Sequence, residues 1–351
     1  MKKWEILPAW SRILQGYRPF LAVEVTRECP LRCPGCYAYD AMHLNNGKVL
    51  RQISELQGDD LVDGILELIH RHRPIHLSIV GGEPLLRYRE MDVLLHHLNC
   101  MDMEVQFITS AVRPIPASWA RLANLHLVVS VDGLQEEHDR RRAPASYERI
   151  LHNIAGHRVI IHCVIMRSML AHPGYLLDFA SFWSNRNETR QIWFSIYTPQ
   201  DKERSQERLT AQDRTQAIEA ITQASSKFPI VYAPRVVIDG YRHPPSSPSE
   251  CLFAQTTRCI APDLKTTITP CQLGGRPVCS ECGCFASVGI ASIGDLRLAG
   301  LVKLSDLFRV SRWIGENVYP EHAYQSASQF SQTQYQSDNA DNRFKRSREG
   351  F

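Results

Sequence analysis

Three cysteines fall on one short stretch, Cys29-Pro30-Leu31-Arg32-Cys33-Pro34-Gly35-Cys36, in the pattern C-x3-C-x2-C. A four-iron cluster takes four ligands, usually thiolates. Three thiols on one loop leave the fourth iron open, and an open iron binds a small chelating molecule that a closed four-cysteine site excludes. The competing readings are a zinc site short of one ligand and three thiols with no shared task.

A second group lies toward the C-terminus: Cys251, Cys259, Cys271, Cys279, Cys282 and Cys284, the last three within Cys279-Ser280-Glu281-Cys282-Gly283-Cys284. They frame a strand-like stretch, Leu264 to Pro270. Four ligands saturate one cluster or one zinc ion, and six do not complete two. The remaining two of the eleven cysteines, Cys100 and Cys163, stand alone and read as small buried hydrophobes. The histidines are scattered, with no H-E-x-x-H or paired spacing, so none is expected to bind metal.

The elements that must position these groups are legible from residue 20 to about 200. Strands are expected at Phe20–Thr26, Ile75–Val80, Val105–Thr109, Leu125–Val131, Val159–Met166 and Ile192–Tyr197, each mostly apolar on both faces as parallel strands covered on two sides are. Amphipathic helical stretches alternate with them, such as Leu61, Ile65, Leu68 and Ile69, or Tyr147, Ile150, Leu151 and Ile154 capped by Ser146. Alternation repeated six times predicts an α/β fold, a partial (β/α)6 barrel of parallel strands with a small cysteine-rich C-terminal extension. The triplet follows the first strand, where ligands sit in such folds. Gly81-Gly82-Glu83-Pro84 follows the second, and its glycines let the backbone approach a ligand closely. Thr109-Ser110-Ala111 ends the third strand and Ser130-Val131-Asp132-Gly133 the fourth.

The triplet resembles the signature of the radical S-adenosylmethionine (SAM) superfamily, in which SAM chelates the open iron of a [4Fe–4S] cluster. Reductive cleavage then gives methionine and a 5'-deoxyadenosyl radical. The resemblance implies that Cys29, Cys33 and Cys36 hold the cluster. It implies that Gly81, Gly82, Glu83 and Pro84 hold the SAM amino group, and that Ser130 contacts SAM. Asp132 is a weaker candidate for the same role. The family places an aromatic residue just before the third cysteine; here Gly35 stands there and Tyr37 follows, as the candidate beside the adenine. The C-terminal cysteines resemble a reduced SPASM or twitch extension, which implies an auxiliary [4Fe–4S] cluster on Cys259, Cys271 and others of the six. A structural zinc knuckle is the alternative.

The expected organisation is a lead-in over residues 1–19, the barrel and a following helix over 20–240, the auxiliary module over 251–315, and a disordered polar tail over 325–351. That following helix starts at Thr210 with Asp213 three residues on. His243 to Ser249 reads as a Pro/Ser linker. Net charge is +3, too small a bias for a nucleic-acid surface, and the run Arg140-Arg141-Arg142 reads as a solvated loop. No apolar stretch is long enough to span a membrane and no secretory signal is evident, so the expected location is cytoplasmic. The resemblance implies hydrogen abstraction from an unidentified peptide or small molecule, with a flavodoxin- or ferredoxin-type electron donor. The alternatives are adenosyl transfer to a lipid precursor, as in the similar adenosylhopane synthases, and a non-catalytic iron–sulfur or zinc scaffold. About 20 residues precede the barrel, which leaves no room for a fused peptide-recognition domain.

Overall fold

The computed structural model describes residues 6–45, 47–298, 300–320 and 322; the expected polar tail lies outside them. Six parallel strands, β1 (Phe20–Glu24), β2 (His76–Val80), β3 (Glu104–Thr109), β4 (Leu125–Ser130), β5 (Val159–Ile165) and β6 (Thr189–Ile196), lie side by side in chain order. Each coincides with its expected strand to within a few residues at either end. Helix α1 (Ile6–Leu14) precedes them, and α2 (Gly58–His72), α3 (Tyr88–Leu98), α4 (Gln135–Arg141), α5 (Tyr147–Asn153), α6 (Arg167–Leu170) and α7 (Tyr175–Ser184) connect them.

Alternate strand residues serve two layers. Leu21, Val23 and Val25 pack with Leu61, Ile65 and Leu68 of α2 in the main core. Ala22 faces the other way, into a second cluster with Ala38 and Cys259. Helix α5 is capped by Ser146, whose hydroxyl accepts the Arg149 N–H at 3.3 Å. Helix α8 (Ala211–Lys227) opens with a reciprocal box, Thr210 N–H to Asp213 at 2.8 Å and Asp213 N–H to the Thr210 hydroxyl at 3.1 Å.

The sheet has eight strands rather than six, and the two others come from the cysteine-rich segment. After α9 (Arg235–Arg242) and α10 (Leu252–Thr256), β7 (Thr257–Ile260) pairs parallel to β1, Ala22 opposite Cys259, and β8 (Thr267–Ile268) pairs antiparallel to β7. The sheet is open between β8 and β6, and the segment 276–285 spans that opening. Val278 N–H donates to Pro199 O at 2.9 Å, Asp201 N–H to Arg276 O at 2.7 Å, and Ile196 N–H to Gly283 O at 2.9 Å. Only glycine fits at 283, because a Cβ there would stand 2.2 Å from Ile196 O. Helix α11 (Phe285–Gly294), the short hairpin β9 (Arg297–Leu298) and β10 (Val302–Lys303), and α12 (Leu304–Val318) follow.

Two expectations are corrected. Cys163 is buried in the core, but Cys100 is exposed, because it falls in the turn after α3 rather than on its apolar face. The arginine run is not a solvated loop: Arg140 is exposed, but the side chains of Arg141 and Arg142 are only 10% and 14% exposed, turned inward by the buried carboxylate of Asp132.

Candidate functional site

The loop after β1 carries Cys29, Cys33 and Cys36 and is pinned at its root. Glu55 accepts the Thr26 hydroxyl at 2.9 Å and the Arg27 N–H at 2.7 Å, and its charge is met by Arg87. The thiols crowd one another. Burial, then the charges of Glu83, Cys33 and Cys36, push Cys29 up to about 12, and burial with Cys33 raises Cys36. Such thiols stay protonated until a cation takes the proton's place, which is the donor chemistry an iron–sulfur cluster needs.

The glycines of the turn after β2 are required by contact with the end of β1 and with this loop. Gly81 has φ +86° and a Cβ there would meet Glu24 Cβ at 2.3 Å; Gly82 has φ +42° and its Cβ would meet Glu28 O at 2.3 Å. Glu83 N–H donates to that same Glu28 carbonyl at 2.8 Å, so turn and cysteine loop are joined next to Cys29. The Glu83 side chain is fully buried and occupied: it accepts Leu85 N–H at 3.0 Å, Ser110 N–H at 2.7 Å and the Thr109 hydroxyl. It therefore binds the end of β3 to the turn after β2, with Pro84 starting the helical turn behind it.

Ser130, at the end of β4, is buried and lies opposite His162 in register. Asp132 anchors the other side of the site. Its carboxylate receives Arg142 Nε at 2.8 Å, Arg141 Nε at 3.0 Å and the Val164 N–H at 3.2 Å. Burial disfavours that charge, but Arg142 and Arg141 outweigh it and hold the carboxyl well below the usual range. Arg142 also donates from Nη1 to the Ser110 hydroxyl at 3.0 Å, and its guanidinium lies within the field of Cys33 and Cys36. A fixed cation thus faces the cysteine loop across the ends of β3 and β4. Sequence reasoning missed Arg142; the signal available was a buried-type Asp-Gly step ten residues upstream that needed a counter-charge.

Tyr37 directly follows Cys36 in the chain. It lies in the second cluster with Cys259, its ring 5.6 Å from His43 and its hydroxyl accepting Gln272 Nε2 at 3.3 Å, which places it between the cysteine loop and the C-terminal segment. Gly35 explains the absent aromatic before Cys36. It has φ +62°, and a Cβ there would come 2.7 Å from the Tyr197 hydroxyl, so a ring from the end of β6 already occupies that space.

The six C-terminal thiols converge across the opening of the sheet. Cys251 and Cys282 are buried, and Cys251 Sγ lies 3.3 Å from the Ser287 hydroxyl. Burial raises Cys284 to about 12 and Cys259 to about 12, with Cys282 and Cys251 adding to the first, and Glu24 and Cys284 to the second. Cys271 is raised by burial and by Cys259, Cys284 and Cys251; Cys279 reaches about 11 through burial, Cys282 and Cys251. Among the described residues no three donor groups close tightly on one point as around a single ion. Thiols that lie in one another's field are the donor type a four-iron cluster takes, and zinc takes the same donors.

Between the two cysteine groups lies the inner wall of the sheet. His162 pairs with Trp193 in register, its Nε2 lies 2.8 Å from the Ser195 hydroxyl, and that hydroxyl accepts the N–H of Phe285, next to Cys284, at 3.0 Å. Trp193 stacks on Phe285 at 4.6 Å. Burial pushes His162 down to about 4, so the ring is neutral.

Residues 23–176 match the family model described as the Radical SAM superfamily. A stretch of 102 residues is 34% identical to 7-carboxy-7-deazaguanine synthase of Hyperthermus butylicus, covering 29% of this chain and 39% of that enzyme, well short of two thirds of its length. The fold is similar to that of Streptococcus suis SuiB bound to precursor peptide SuiA, with a TM-score of 0.52 at 14% identity over 92% of this chain and 70% of that one. It is also similar to anSMEcpe with bound AdoMet, with a TM-score of 0.55 at 12% identity over 78% and 77% of the two chains.

Proposed function

We propose that the chain, whose residues 23–176 match the radical SAM superfamily model, is an enzyme of that superfamily and abstracts hydrogen from a neutral, polar substrate held against the inner wall of the sheet. Bound there, a [4Fe–4S] cluster and SAM supply a 5'-deoxyadenosyl radical on one-electron reduction. The chain's own residues set the geometry. Cys29, Cys33 and Cys36 ligate the cluster, Arg142 and Ser110 receive the SAM carboxylate, and the backbone of Gly81 and Gly82 accepts its ammonium, since both Glu83 oxygens are already engaged. Ser130 borders the same space. The single observation that carries this reading is the convergence of three thiols, the Gly81-Gly82 turn and the Arg142 cation at adjacent strand ends.

The inner wall presents His162, Ser195 and the Ser78–Gln106 pair, 3.4 Å apart, which suit amide and hydroxyl groups. A peptide is the favoured substrate class, in keeping with the likeness to SuiB, whose structure holds a precursor peptide. The C-terminal cysteines hold an auxiliary [4Fe–4S] cluster, and electrons come from a flavodoxin- or ferredoxin-type donor. No helix among the described residues is long and apolar enough to cross a membrane, and a cytoplasmic location suits the oxygen-labile cofactor.

The test is SAM cleavage by anaerobically reconstituted, reduced protein. Wild type should release 5'-deoxyadenosine slowly without substrate and Cys33→Ala should release none; equal release by both would refute the assignment.

A further inference from the structure

Arg214, in the first turns of α8, is a half-buried cation that makes no ion pair among the described residues. Its hydrogen bonds go only to main-chain carbonyls: Nη1 to Glu281 O at 2.9 Å, and Nη2 to Cys282 O and Tyr241 O, both at 2.7 Å. The nearby carboxylate of Glu281 makes its ion pair with Arg208, whose Nε and Nη2 donate to it at 3.1 and 2.5 Å. The guanidinium thus sits on the Cys279–Cys284 loop, where burial opposes its charge more than the fields of Cys282 and then Glu281 favour it.

Taking a cation out of water costs several kcal/mol unless a counter-charge is near, and carbonyl dipoles offset that only in part. Neutral thiols contribute no negative charge. A four-iron cluster held by four thiolates does, and its reduced form is more negative than its oxidised form by one charge. Burial strengthens the attraction, because the local dielectric is low. An arginine, which never loses its proton, would stabilise the reduced form more than the oxidised one and so raise the reduction potential.

We propose that Arg214 is the counter-charge of the auxiliary cluster and a positioning residue that holds its reduction potential up, favouring uptake of an electron by that centre. The inference rests on the reading of the C-terminal cysteines as an iron–sulfur site. It is tested in the full chain carrying Cys29→Ala, Cys33→Ala and Cys36→Ala, so that one cluster remains, by redox titration followed by EPR with iron content measured in parallel. Arg214→Gln should shift the midpoint to lower potential, and Arg214→Lys, which keeps the charge but not the fork, should shift it less. If Arg214→Gln cannot hold the cluster while Arg214→Lys holds it near the wild-type potential, the counter-charge role stands. An unchanged potential in Arg214→Gln, equal shifts in both variants, or loss of the cluster from both would overturn it. Zinc, or no iron, in the parent protein would instead refute the cluster reading, and this inference with it.

Discussion

His43 Nε2 lies 3.0 Å from Glu24 Oε1, and both side chains are sealed from solvent. The other ring nitrogen, Nδ1, is 3.1 Å from Leu273 O. With a carboxylate on one side and a carbonyl on the other, both nitrogens donate and the ring is an imidazolium. The pair joins β1, the end of the cysteine loop and the segment just after Cys271. Gly274 is part of the same joint, since a Cβ there would stand 2.1 Å from His43 O.

Burial opposes the charge on His43, but the hydrogen bond and charge of Glu24 and the Leu273 carbonyl outweigh it, so its pKa is raised. A raised histidine pKa contributes stability in full below the unfolded value of about 6.5, and that contribution is lost as pH rises through the folded value. Denaturant unfolding of the metal-free protein should therefore show stability falling as pH is raised from 6 toward 9. His43→Leu should remove that slope and cost about 3–5 kcal/mol, by leaving Glu24 buried and unpaired. A variant as stable as wild type would show the pair to be dispensable.

Arg142 gives a prediction about ligand affinity. Removing a hydrogen bond to a charged group costs about 1.5–3 kcal/mol, so Arg142→Ala should bind SAM about 10- to 100-fold more weakly. Iron content should hold, because no cluster ligand is touched. Calorimetric titration of SAM into the reconstituted protein measures this, and wild-type affinity would remove Arg142 from the SAM site.

That arginine also marks where sequence reasoning stops. The six strands were legible because residues such as Val23 and Val129 must be apolar against the helices, and the triplet because its spacing has few other uses. Three consecutive arginines look like a surface run from sequence alone; only the fold reveals that Asp132 draws two of them inward. The closure of the sheet by residues 276–285 was hidden for another reason. That segment has no periodicity, and it is held by main-chain hydrogen bonds to β6 and by the fit of Gly283 against Ile196, neither of which leaves a composition signal.

Gly35 tests the departure from the family pattern. A Cβ at φ +62° carries a left-handed penalty of about 1–2 kcal/mol and would also press on the Tyr197 hydroxyl. Gly35→Ala should lower the iron retained after reconstitution, and adding Tyr197→Phe should restore part of it by removing the hydroxyl while leaving the backbone penalty. Full iron content in Gly35→Ala alone would mean that the loop between Cys33 and Cys36 has more freedom than its packing shows.

The final prediction concerns the division of work between the two cysteine groups. Wild type should hold about eight iron per chain, from two four-iron clusters, and Cys271→Ala about four. SAM cleavage needs only the residues around the triplet, so Cys271→Ala should still release 5'-deoxyadenosine while failing to give final product from the true substrate. Structural coupling complicates this, because the C-terminal thiols lie at the opening between β8 and β6 and a cluster there would also hold the sheet shut. Two measurements separate the effects. The EPR change of the remaining cluster on SAM addition reports whether the triplet site is intact. Hydrogen exchange at Ile196, whose N–H donates to Gly283 O at 2.9 Å, reports whether the sheet has opened. Lost product with both signals at wild-type values would assign the C-terminal cysteines a part in the chemistry. Normal product from Cys271→Ala would limit them to structure.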